Sequence, residues 1–335
     1  MMVLYPLKFQ FMKYFKIPVS ISILLLINFF TLSSQSWNSF YHFAGQDELR
    51  ILKMQIDESN NVYVSGWFTG SYETHTSHGF RDFFVAKLNS TGGLLWFRQI
   101  GGKYLDNFHD ICYYNNSIYF VGGLQDTVFI ENTDTLILNP TSRDVGLIKF
   151  SSNGSYLWGK NIAFGNNHIS PYSIDIKNSN LIIVGNYINQ VDFGGNSFIR
   201  SGTHNFILKL NLDGDFVWSK NIIGNNNATR ITNTKIFEDG YYFTGYFRDS
   251  LYIDIGSIKS AYSNISDLFI YKTDINGNGL WIRKASGNSN DVSGSLTNDP
   301  YGNVYYTGYF QSNFLTIDST SSVVSNKIIS KSPLF

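Results

Sequence analysis

The chain has 335 residues, 17% of them aromatic, and its 25 Lys plus Arg are matched by 25 Asp plus Glu. Zero formal net charge provides no field to gather nucleic acid or an anionic membrane, so neither is expected as a partner. The single cysteine, Cys112, excludes an internal disulfide framework and any multi-cysteine metal site, and its expected role is that of a small buried side chain.

The chain opens with a short basic stretch at 12–16, a nearly continuous apolar run at 17–32, and small or polar residues at 33–36. That order describes a secretory signal peptide over 1–36, cleaved between Ser34 and Trp37. The apolar run is shorter than the ~20 residues a membrane span needs. The mature chain is therefore expected outside the cell or at its surface, with no membrane span after cleavage.

Residues 37–335 are expected to form one repeat domain. Residues 48–56 make a first run, 58–61 a polar turn, and 62–68 a second run rich in aromatic and β-branched residues. A polar stretch at 70–81 precedes a third run at 83–88, and a glycine turn leads to a fourth at 94–100. Sustained i, i+3, i+4 apolar spacing, which an amphipathic helix requires, is missing from every unit. The predicted fold class is all-β.

This four-strand pattern recurs. Lys87 and Trp96, Lys149 and Trp158, Lys209 and Trp218, and Lys272 and Trp281 keep one internal offset, and the tryptophans step by 62, 60 and 63 residues. A fixed offset on a period near 60 means one supersecondary unit copied in tandem. Gly66, Gly122, Gly185, Gly245 and Gly308 close apolar runs, and two residues later stand Phe68, Leu124, Tyr187, Phe247 and Phe310. Gly92, Gly154, Gly214 and Gly277 precede the tryptophans and follow Thr91, Asn153, Asp213 and Asn276, which predicts hairpin turns with glycine at positive φ. Four-stranded antiparallel sheets at this period suggest the blades of a β-propeller.

The segment NNVYVSGWF at 60–68, followed by DFFVAKLNSTGGLLWFRQIGG at 82–102, resembles the SBBP repeat, a family of secreted bacterial repeats named for a seven-bladed β-propeller. Gly302, Asn303, Val304 and Tyr305 repeat its opening, and Asp144 with Lys149 and Asp267 with Lys272 keep its third strand. The third copy departs, with His204 in place of the aspartate, and the Gly-Gly exit survives only at Gly101 and Gly102. The resemblance implies a propeller fold and export and names no ligand. Residues 37–45 (WNSFYHFAG) resemble a fourth strand without its first three, and 326–331 (NKIISK) read as the third strand of a fifth unit that lacks its fourth. Together they would close a ring of five blades. A fragment of a larger ring is the alternative.

In an up-and-down blade the loop between strands two and three shares its side with the link to the next blade. The long, unlike loops at 70–81, 125–143, 189–204 and 248–266 then share a face with the exits at Gly101, Gly165, Gly224 and Gly287. Tyr72, His75, His78, Arg81, Arg143, His204 and Arg248 are the candidate ligand-binding residues of that face. A solvated loop is the plainer account of the first four, and His75 and His78, three apart without a third ligand, imply no zinc. Asp82, Asp144 and Asp267 recur in most copies and so read as structural turn contacts rather than paired catalytic carboxylates. The repeated lysines should lay their stems between blades and the tryptophans should pack there. Asp274, Asn276, Asn278 and Gly279 begin like a calcium loop, but Ala285 stands where the closing glutamate belongs. No catalytic residue, metal or cofactor is expected. The expected function is a secreted binding or scaffold module for a protein or glycan ligand. The alternative is a carbohydrate-active propeller enzyme with acids from different blades.

Overall fold

A computed structural model describes Phe43 and residues 47–324, apart from 105, 132, 225–227, 300–302 and 318–320. The signal segment 1–36, the rest of 37–45, and 326–331 lie outside the described residues. All regular elements described are β-strands. No helix among the described residues is long and apolar enough to cross a membrane.

Four units each form a four-stranded antiparallel meander. Unit I contains Leu49–Ile56, Val62–Phe68, Asp82–Leu88 and Leu94–Gly102. Unit II contains Asn107–Tyr114, Ser117–Leu124, Asp144–Ser151 and Tyr156–Ala163. Unit III contains Ser170–Lys177, Asn180–Asp192, Ser197–Leu210 and Phe216–Gly224. Unit IV contains Arg230–Phe237, Gly240–Arg248, Ser266–Thr273 and Gly279–Ser286. A fifth unit begins as the pair Asp291–Asn298 and Val304–Phe310. The first strands of successive units are neighbours in chain order.

The repeated sequence marks have distinct mechanical roles. Each lysine lies directly opposite its tryptophan across the third and fourth strands, which is why nine residues separate them in every copy. Gly92, Gly154, Gly214 and Gly277 have φ of 87°, 85°, 80° and 85°. The residue before each glycine is not left-handed, so these turns are longer loops with one glycine at positive φ rather than two-residue type I′ turns. Asn89 Oδ1 shows how they are fixed, accepting the N–H groups of Thr91 at 3.0 Å and Gly93 at 2.8 Å.

The glycine that ends each second strand faces a β-bulge in the first strand. Pairing slips between Ile51 and Lys53, Phe108 and Asp110, Pro171 and Ser173, Ile231 and Asn233, and Ser293 and Leu296. A Cβ on Gly66, Gly185 or Gly245 would strike the carbonyl oxygen of Arg50, Ser170 or Arg230. Only a residue without a side chain lets that carbonyl lie so close.

The core lies in seams between consecutive sheets. Ile118 and Phe120 pack toward unit I with Phe83, Val85 and Trp96, whereas their neighbours Tyr119 and Val121 pack toward unit III with Leu181 and Ile183. Alternate side chains therefore enter opposite seams, and the middle strands read as unbroken apolar runs because both faces are covered. Each such fully buried side chain contributes about 2 kcal/mol. Trp96 rests on the turn glycine Gly154 of unit II, Trp158 on Gly214 of unit III, and Trp218 on Gly277 of unit IV. Lys87 Nζ donates to the Ser152 carbonyl at 3.2 Å and Lys209 Nζ to the Ile275 carbonyl at 3.1 Å, again crossing to the following unit.

The stretches between strands two and three differ from the expected long loops. They carry hairpin arms: that of unit I, Ser71–Tyr72 with His75–Thr76, is a two-stranded sheet by itself, and those of the later units reach back to the preceding unit. Thr127–Ile130 and Asp134–Ile137 form one arm, which pairs with the outer strand of unit I at Ile100↔Ile130 and Gly102↔Val128. Ser250–Ile253 with Gly256–Lys259 joins unit III at Gly224↔Leu251, and Phe314–Ile317 with Ser321–Val324 joins unit IV at Ser286↔Thr316. In unit III the strands themselves lengthen into the arm, and Asp192 bridges to Phe164 of unit II. Each of these backward-reaching arms thus covers an otherwise unpaired strand edge.

Candidate functional site

The seven candidate residues are placed on or beside these arms and do not form one pocket. Tyr72 is 2% exposed, with its ring 4.8 Å from Phe97 and 5.9 Å from Phe43, so its bulk fills a small core. His75 lies over Phe97, with Nε2 3.9 Å from Glu131 of the next arm. His78 stacks on Phe129 and places Nδ1 2.6 Å from Asp82. Arg81 sits 4.2 Å from the Trp67 ring, which Arg50 also approaches at 5.3 Å. His204 is buried opposite Tyr187 and reaches the Ser201 carbonyl through Nε2 at 2.9 Å. Arg248 pairs in register with Ser266, and its Nε is buried without a hydrogen-bond partner.

The recurring aspartates are structural, as the repetition implies. Asp82 accepts from Gln99 Nε2 at 2.6 Å and from the His78 amide. Asp144 accepts from Asn161 Nδ2 at 2.6 Å and from the Asn139 amide at 3.2 Å, and Asp267 from the Ala261 amide at 2.6 Å. Each carboxylate ties the end of its arm to the fourth strand or its exit. Burial pushes the Asp144 and Asp267 carboxyls up, against the hydrogen bonds that lower them.

Arg143 alone of the seven joins a cluster that draws on several units. Asn107, turned so that its amide oxygen faces Arg143, accepts from Nη1, and the Arg143 amide donates to His168 Nδ1 at 3.1 Å. His109, the bulge residue of unit II, lies edge-on to Tyr172, the bulge residue of unit III, with ring centres 5.5 Å apart. The Arg230 guanidinium of unit IV covers Tyr172 at 4.9 Å. Lys53 approaches from unit I, held 3.3 Å from Asp110. These residues stand near the starts of the first strands, at the end of each sheet that carries the arms.

The electrostatics agree with that convergence. Burial, followed by Arg143, Lys53 and Arg230, pushes the His109 imidazole down to about 3. A ring held neutral at physiological pH offers hydrogen bonds there and does not shuttle protons. Burial raises the Tyr172 hydroxyl and lowers the Arg143 guanidinium. Burial also lifts the Asp106 carboxyl to about 7, against the Gln125 and Gly102 amides and Arg143. His109 Nε2, Arg143 Nε and Asp106 Oδ2 are all buried without a hydrogen-bond partner.

Sequence reasoning missed His109, Tyr172 and Arg230. For His109 and Tyr172 the available signal was the residue thirteen before the second-strand glycine, which is His109, Tyr172 and Thr232 in units II, III and IV; it does not point to Arg230. It varies where its surroundings repeat, and repeat-breaking positions are where a tandem fold carries individual chemistry.

The cluster presents positive charge, hydrogen-bonding groups and one aromatic ring, an arrangement suited to holding a polar ligand. No family model matches the chain, and no curated protein matches it significantly.

Proposed function

We propose that the chain is an exported β-propeller repeat protein that works by binding, with its contact surface at the arm end of the first strands. One observation carries the reading. The residues that recur from unit to unit are consumed in turns and seams, whereas Lys53, His109, Arg143, Tyr172 and Arg230, which break the repeat, gather from units I to IV at one place. The ring is supported by the chain-order contact of the first strands and by sheets buried on both faces. Phe43, packed against Tyr72 and Phe84, supports an N-terminal strand lying against unit I, as closure by 37–45 requires.

Two experiments test the proposal. Arrays of glycans and extracellular proteins, probed with residues 37–335, should yield a ligand whose capture Tyr172→Ala abolishes without loss of fold. Binding indifferent to Tyr172 and His109 would refute the location. For five-blade closure, cysteines replacing Leu52 and Ser295 should be joined by a short bismaleimide within one chain, and failure to link would sink the closed ring. Asp106 favours the enzymatic alternative, since a carboxyl near 7 can serve as a general acid. That reading requires glycoside turnover that Asp106→Asn removes.

A further inference from the structure

The geometry points to an acidic saccharide as the ligand of this cluster, its carboxylate held by Arg143 and Arg230 and its ring laid beside Tyr172. The inference rests on the binding reading above and adds the chemical class. It starts from charge. Lys53, Lys87, Lys160, Lys177, Lys220, Lys235 and Lys272 each have a carboxylate within ion-pair distance. Arg143 and Arg230 have none among the described residues, which is true also of Arg81, Lys103, Lys149, Arg200, Lys209, Arg248 and Lys259; what sets these two apart is that both lie close enough to act on the Tyr172 hydroxyl. Two guanidinium groups near one tyrosine, neither held in an ion pair and one attracted only at a distance by the buried Asp106, offer a site for an anion.

The second support is the unmet hydrogen-bonding capacity. Arg143 Nε and His109 Nε2 are out of contact with solvent and have no partner, and such groups are normally satisfied by something. Asp106, the acid that acts on Arg143, makes no ion pair with it and accepts instead from the Gln125 amide at 3.0 Å. Planar guanidinium groups match a carboxylate through paired N–H donors. The third support is the setting. Tyr172 touches both the His109 ring and the Arg230 guanidinium, and Tyr246 stands opposite Arg230 across the strand pair. Flat side chains bordered by arginine, asparagine and histidine suit the face and hydroxyls of a sugar ring.

Calorimetry with residues 37–335 and a uronic acid trisaccharide, its methyl ester, a sulfated trisaccharide and a neutral one tests the assignment. The free uronate should bind at least tenfold more tightly than its ester and than the neutral and sulfated sugars. Arg143→Gln and Arg230→Gln should each weaken it by roughly tenfold, the loss of one charge-assisted contact. Arg283→Gln, on the outer strand of unit IV, should leave it unchanged. Arg230 is exposed, so its variant remains informative if Arg143→Gln misfolds. Equal binding of ester and acid, tighter binding of the sulfated sugar, or indifference to both arginines would overturn the carboxylate assignment. If binding of a neutral sugar were lost only with Tyr172→Ala, the binding surface would stand and the acidic ligand would fall. Failure of every saccharide would also overturn the assignment, while the protein array separately decides the wider reading.

Discussion

Gly154→Ala isolates the seam contact that the sequence repeats most faithfully. Gly154 has φ of +85°, and a Cβ there would lie 2.8 to 3.0 Å from the Trp96 indole of the preceding unit. Gly194 has φ of +77° and nothing within 4 Å of the same point. Both alanines incur the left-handed backbone cost of about 1–2 kcal/mol. Only the first adds overpacking, worth about 1–3 kcal/mol. Urea unfolding should therefore place Gly154→Ala about 2 kcal/mol below Gly194→Ala, a gap of roughly 4 °C in midpoint temperature. In a Trp96→Ala background the extra term should vanish, so the double variant should be more stable than the sum of the singles predicts. Equal losses for the two glycines, or strict additivity with Trp96, would refute the claim that the tryptophan rests on the next unit's turn.

Three further outcomes follow from named contacts. Because the native Asp106 carboxyl keeps its proton up to about 7 and an unfolded one releases it near 3.8, stability should fall as pH rises through that interval. Asp106→Asn should flatten the fall in urea midpoints, and identical slopes would remove Asp106 as its source. Asp144→Ala strips the Asn139 amide and Asn161 of their acceptor, so it should destabilise the chain by about 2 kcal/mol. Hydrogen exchange should rise at 126–139 before it rises in unit III, and unchanged arm protection would contradict the tether. Phe43→Ala should cost about 3 kcal/mol in urea unfolding through its lost packing on Tyr72 and Phe84. No loss would remove the support for an N-terminal strand beside unit I.

Where local chemistry determines geometry, the fold was legible. The nine-residue Lys–Trp offset is a hairpin seen edge-on, and the turn glycines have the positive φ that their neighbours implied. Phe68, Leu124, Tyr187 and Phe247 are fully buried at the expected apolar place, whereas Phe310 is 39% exposed in a fifth unit with only two described strands of its own sheet. The arms escaped notice for a physical reason. Thr127–Ile130 and Asp134–Ile137 are four residues each, flanked by polar residues, and their sheet partner belongs to the previous copy. Tyr72 carries a hydroxyl and sits in a polar stretch, which suggests a surface role, yet its ring completes a core with Phe97. The His109 and Tyr172 contact depends on two bulges facing each other from adjacent sheets, a relation that single-strand patterns do not encode.

The backward-reaching arms make the joints in the described chain alike: a strand edge met by the next copy's hairpin at each, and an indole on a turn glycine at the first three. A genetic duplication or excision of one whole period would leave matching parts at the new junction, with no fresh surface to invent. Copy number is then free to drift between relatives while each joint keeps its chemistry, and only the few residues that differ between copies must be inherited in place.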